Sequence, residues 1–135
     1  MQVRLTKEQK VKIANADDVY AVMRTILMRE NKLARQKEHF WVVGLSHSNV
    51  ILYIELVALG TINEVMVKPV EVFNFAVVKK ATKIILVHNH PSGELKASEQ
   101  DIRITQRLKA GADALEIRIL DHFIISETGY ISMYP

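Results

Sequence analysis

Apolar residues along this chain switch repeatedly between helical and extended spacing, and the switches mark the elements. Val19, Val22, Met23, Ile26 and Leu27 recur at i, i+3, i+4, i+7 and i+8, one face of an amphipathic helix. Asp17 and Asp18 stand ahead of it, where helix N-terminal carboxylates are favoured. Residues 40–45 and 50–59 are extended runs, and the polar Ser46-His47-Ser48-Asn49 between them predicts a hairpin. The second run is apolar on both alternating sets except at Glu55, which predicts a central strand. Gly60-Thr61-Ile62-Asn63 ends it, and residues 64–67 read as a further short strand. Pro69 suits the first turn of a second helix, with Val72, Phe75, Ala76 and Lys79 at helical spacing up to Ala81. Residues 82–87 are a third extended run. Ser98 opens a third helix with Ile102, Thr105, Leu108 and Ala112 on one face. Residues 116–120, 122–126 and 130–133 predict three closing strands, with Thr128-Gly129 as a turn. Residues 1–16 read as a lead-in with edge-strand character, and residues 29–37 as a charged connection. The order predicts an α/β sheet with helices against it.

Composition narrows this little. A chain of 135 residues, 49% apolar and 24% charged, is expected to make one soluble domain with a substantial core. No apolar run approaches the roughly 20 residues of a membrane span, and the first residues lack a signal-peptide layout. Without cysteine there is neither a disulfide nor a thiolate metal site, and a cytoplasmic location is the expectation. The net charge of +3 is far from the dense basic stripe of a dedicated nucleic-acid binder. DNA is a weakly supported partner on that ground. A homo-oligomer is another partner that an apolar strand would allow.

The candidate chemistry lies where the third extended run ends. His88 and His90 are spaced i, i+2, so in a strand both imidazoles share one face and can meet one metal ion. Pro91 and Gly93 then turn the backbone. Ser98 and Asp101 follow at the head of the third helix, which can return a carboxylate to the same place. Two neutral imidazoles and a carboxylate, with a fourth position open, make a catalytic zinc ligand set. Ser98-x-x-Asp101 also reads as a helix capping box, so these two residues carry a structural reading beside the chemical one.

The spacing His88-x-His90, seven residues, then Ser98-x-x-Asp101 resembles the JAMM motif of the JAB/MPN metallohydrolases. The words His88-Asn89-His90-Pro91-Ser92-Gly93 and Leu120-Asp121-His122 resemble the RadC-like branch, from about Glu38 to Met133. The resemblance implies a JAB/MPN (cytidine-deaminase-like) α/β domain over residues 36–135, a central mixed sheet flanked by helices, behind an N-terminal lead-in and helix over 1–35. It implies Zn2+ on His88, His90 and Asp101, Ser98 as a donor to the tetrahedral intermediate, and an upstream glutamate as general base. Glu38, in the Glu-x-Phe word that opens the first strand, fits better than Glu55, Glu64 or Glu71. Asn89 and Ser92 are expected to shape the pocket. His122 reads either as support behind the ligands or as a buried, hydrogen-bonded histidine, and His39 and His47 as surface residues.

The implied activity is hydrolysis of a peptide or isopeptide bond. Some positions depart from the branch: Val67-Lys68-Pro69-Val70-Glu71 stands where Val-His-Pro-Arg-Glu is usual, Leu45-Ser46 replaces Leu-Asp, and Ala97 replaces a common proline. Longer members carry a helix-hairpin-helix region for which 135 residues leave no room. The competing reading is a non-catalytic accessory domain of a DNA-repair type of protein. A cupin-like match, His88-x-His90-x-x-x-Glu94, conflicts with the helical patterns, and His-Asn-His lacks the dispersed residues of an HNH nuclease.

Overall fold

A computed structural model describes residues 1–6 and 10–134, so residues 7–9 of the expected lead-in, and Pro135, lie outside the described residues. Its elements are α1 (Ala16–Met28), a single 3-10 turn at Ala34–Gln36, β1 (Glu38–Leu45), β2 (Ile51–Gly60), α2 (Pro69–Val78), β3 (Lys83–Asn89), α3 (Glu99–Leu115), β4 (Arg118–Ile125) and β5 (Tyr130–Ser132). The strands form one sheet in the order β2-β1-β3-β4-β5. β1 pairs antiparallel with both β2 and β3, β3 pairs parallel with β4 through the α3 crossover, and β5 returns antiparallel to β4. The expected mixed α/β sheet flanked by helices is what the chain forms.

Each face of the sheet carries its own core, as period-2 alternation of buried strands requires. One core joins Phe40, Val42, Tyr53, Ile84, Leu86 and Ile119 to α2 and α3. The other joins Trp41, Val43, Ile54, Ile85, Val87 and Phe123 to α1, through Val19, Met23, Ile26 and Leu27. The α1 stripe is therefore the predicted one. Its cap is Asn15, whose side chain accepts the Asp18 N–H while Asp18 accepts the Asn15 N–H, so Asp18 serves as the far corner of a capping box.

Four local expectations change. β2 is an edge strand rather than a central one. Its apolar outer residues are satisfied because the N-terminal segment lies along the free edge, bridging Gln2 to Glu55 and Lys12 to Val50. Residues 64–67 are turns: Asn63 Oδ1 accepts the N–H groups of Val65 and Met66 and folds the chain there. The core face of α3 holds Ile104, and Ile102 is 44% exposed. The closing segment makes two strands, because 116–120 and 122–126 merge into β4 across an irregularity described below.

Of the glycines, Gly44 is the most closely packed. It pairs with Tyr53, whose ring lies over it, and a Cβ there would come within 2.0 Å of the ring. Gly44→Ala should therefore lower stability by about 3 kcal/mol, the upper end for overpacking a core. Urea unfolding checks this, and a midpoint unchanged from the parent would show that the ring can move aside.

Candidate metal centre

β3 runs through the middle of the sheet and ends at His88-Asn89-His90 beside the N-terminus of α3. The i, i+2 spacing puts His88 and His90 on the face that α3 covers, and α3 docks with Asp101 in its first turn. The three side chains converge. His88 Nε2 lies 3.1 Å from His90 Nε2 and 3.1 Å from Asp101 Oδ1, and His90 Nε2 lies 3.1 Å from Asp101 Oδ2. Among the described residues these three form the group whose ligand atoms lie within 4.8 Å of one another. A tetrahedral ion about 2.0–2.1 Å from each donor would set donor separations of about 3.3–3.4 Å. The donor set present fits such an ion.

The remaining nitrogen of each histidine is engaged, which leaves Nε2 to face the ion. His90 Nδ1 donates to the Glu94 carbonyl at 2.9 Å. His88 Nδ1 is 2.8 Å from His122 Nε2, and His122 Nδ1 is 2.5 Å from the Thr105 hydroxyl. Phe40 closes this side, its ring stacked on His88 and edge-on to His122.

Asp101 unites the two readings of its motif. Ser98 Oγ accepts the Asp101 N–H at 3.1 Å, and Asp101 Oδ2 accepts the Ser98 N–H at 2.9 Å, a complete capping box. That box fixes the carboxylate rotamer with Oδ1 turned to His88. Capping and metal ligation are thus one arrangement rather than rivals.

Glu38 opens β1 two residues before Phe40, which pairs with His88, so Glu38 stands on the site face across from His90. Its Oε1 accepts the Ile62 N–H at 3.4 Å, and its charge is felt at His90. Asn89, on the opposite face, brackets it: Asn89 Oδ1 accepts the His39 N–H at 2.6 Å and Nδ2 donates to the Lys37 carbonyl at 3.1 Å. Ser92 is exposed and accepts the Glu94 N–H at 3.2 Å, holding the turn after His90. His47 is at the surface as expected. His39 is not: it is buried, 1% exposed, and stacked on Trp41 with Nδ1 on the Lys37 carbonyl.

His122 and Thr105 complete the site, and spacing alone does not single them out. His122 reaches this face through a bulge. Ile84 pairs with Ile119 but Ile85 pairs with Asp121, so Leu120 is an extra residue in β4. Were these same residues paired regularly, with no bulge, His122 would face the α1 side. Thr105 stands one turn after Asp101 on α3. The available signals were the i+4 offset from Asp101 and the word Leu120-Asp121-His122.

The model of the RadC-like JAB domain family matches residues 13–134. The chain belongs to that family. Its relatives include a UPF0758 protein of Methanosarcina acetivorans, 42% identical over 94% of this chain and 53% of the relative. A UPF0758 protein of Caldanaerobacter subterraneus is 39% identical over 95% of this chain and 53% of the relative. One of Desulforudis audaxviator is 41% identical over 79% of this chain and 46% of the relative. The chain spans about half the length of the curated relatives it matches. Among the described residues no helix is long and apolar enough to cross a membrane.

Electrostatics make the triad pH-sensitive. The hydrogen bond to Asp101 raises the His90 pKa above its ordinary value, outweighing burial, which lowers it. Burial pushes the Asp101 carboxyl up, but hydrogen bonds from His88 and His90 win and hold it well below the usual carboxylate range. Burial drives His122 well below the usual histidine value, so it is neutral. For the metal-free chain, the His90 contribution is complete below about pH 6.5 and is lost as pH rises through the raised value. The Asp101 contribution is complete above about pH 4 and is lost as pH falls through the lowered value. In EDTA the melting temperature should thus be higher near about pH 5.5 than near about pH 8, with the difference shrinking in His90→Ala. With zinc the order should reverse, because protons compete for the same nitrogens. A metal-free melting temperature rising steadily from about pH 5 to pH 8 would contradict this assignment.

Proposed function

We propose that this domain is a zinc-dependent hydrolase of the JAMM type, cleaving an amide or isopeptide bond. The carrying observation is the convergence of His88 Nε2, His90 Nε2 and the Asp101 carboxylate, each imidazole 3.1 Å from the other and from one carboxylate oxygen, with Glu38 on the same face. Two imidazoles and one carboxylate with an open position suit zinc, and a dry, hydrogen-bonded surround fixes their orientation. A divalent ion held there supplies Lewis acidity and a water of lowered pKa.

The chain's own groups divide the remaining work. Glu38 accepts a proton from the attacking water and passes it to the leaving nitrogen. Asn89 holds the peptide groups on both sides of Glu38 and so keeps its backbone fixed. Ser98 accepts the Asp101 N–H through an oxygen lone pair, which leaves its hydroxyl proton free to donate to the carbonyl oxygen as negative charge develops. The relatives' names state no activity, so the reading stands on these groups and on the family's chemistry.

Metal analysis of the purified chain tests it. About one zinc per chain is expected, lost in a His88→Ala/His90→Ala double variant. A facial set of two histidines and a carboxylate also serves non-haem iron, and iron in place of zinc would redirect the reaction class. Glu38→Gln should keep the zinc and lose about 10²–10⁴-fold in turnover of whichever peptide- or isopeptide-linked fluorogenic substrate the parent cleaves. No metal after zinc reconstitution would refute the hydrolase reading.

A further inference from the structure

His88 can present Nε2 as a lone pair only while its proton sits on Nδ1. The surroundings impose a definite hydrogen-bond direction for that state. The His88 Nδ1–H donates to His122 Nε2 at 2.8 Å, which obliges His122 to carry its own proton on Nδ1. The His122 Nδ1–H then donates to Thr105 Oγ1, and the Thr105 hydroxyl donates onward to the Asp101 carbonyl at 2.9 Å. Every donor finds an acceptor, in a space where His122 is 0% and Thr105 5% exposed. The relay starts at one candidate ligand and ends on the backbone of another.

We propose that His122 and Thr105 are positioning residues that select the metal-binding tautomer of His88. The inference rests on the metal-centre reading above and adds a cause for the tautomer. Thr105 is the deciding member. Its hydroxyl is the acceptor for the His122 Nδ1–H; remove it and His122 is better served with its proton on Nε2. His122 would then donate to His88 Nδ1, and the displaced proton would occupy His88 Nε2, where Asp101 Oδ1 at 3.1 Å accepts it. In that polarity the His88 lone pair is turned away from the site. A bulge placing His122 on this face, and a helix turn placing Thr105 beside it, bring the two together from β4 and α3.

Zinc binding measured by chelator competition tests the relay without reference to any substrate. Thr105→Val keeps the shape and removes the hydroxyl, and should weaken zinc by about 10-fold; His122→Phe should approach about 100-fold, the range for partners behind metal ligands. Long-range proton–nitrogen correlation spectra should show His88 protonated on Nδ1 in the zinc-loaded parent. Metal-free Thr105→Val should show more His88 Nε2–H than the metal-free parent. Should His122→Phe fail to fold, Thr105→Val alone carries the test. Parent-like zinc affinity in Thr105→Val, with zinc lost in His88→Ala, would overturn the relay and leave the metal centre standing. A parent that does not bind zinc would overturn both.

Discussion

A buried carboxylate organises this fold. Asp101 is 4% exposed, and an ionised group so placed is tolerated only when its oxygens are met by donors. Its partners come from two directions: the Ser98 N–H in its own helix cap, and the His88 and His90 imidazoles at the end of β3. Helix α3 must therefore dock with its first turn against the end of the central strand. That docking in turn fixes the parallel crossover into β4 and closes the core on that face of the sheet. The positive end of the α3 dipole lies at the same point and favours the anion further.

The site has two halves held by separate means. On the α3 side, hydrogen bonds run from β3 through β4 back to α3 and orient His88. At the sheet's end, the Asn89 amide continues the β1–β3 pairing with side-chain atoms and brackets Glu38. One residue of the His88-Asn89-His90 word thus faces away from the site and still serves it. The strand period of two explains the division: alternate residues point to opposite faces, ligands to α3 and the bracket to α1.

Much of this was legible in the chain because local spacing carried it. The i, i+2 histidines, the capping box and the amphipathic α1 stripe all depend on residues close in sequence. What was not legible depends on distant partners. β2 looked central because both its faces are apolar, yet it lies at the sheet's edge, where Gln2 and Lys12 of the lead-in bridge to Glu55 and Val50. His39 looked exposed in a charged stretch, but Trp41 and the Lys37 carbonyl enclose it. His122 was left between two readings because its face cannot be deduced by counting along a regular strand. Ile102 and Ile104 exchange places for a related reason: the docking angle of α3 is set by Asp101, not by the hydrophobic stripe alone.

The extra residue at Leu120 gives β4 a parity. Ile119 and His122, an odd number of positions apart, share a face only because β4 accommodates one surplus residue between them. Loss of one residue here would straighten β4 and leave His122 on its face, whereas regular pairing of the intact sequence would not. In that regular pairing Phe123 and Ile125 would trade sides with His122 and Ile124, placing aromatic bulk where the imidazole stands and an imidazole in the hydrocarbon beneath α1. In this short stretch the constraint falls on how the strand pairs rather than on which side chain stands at Leu120.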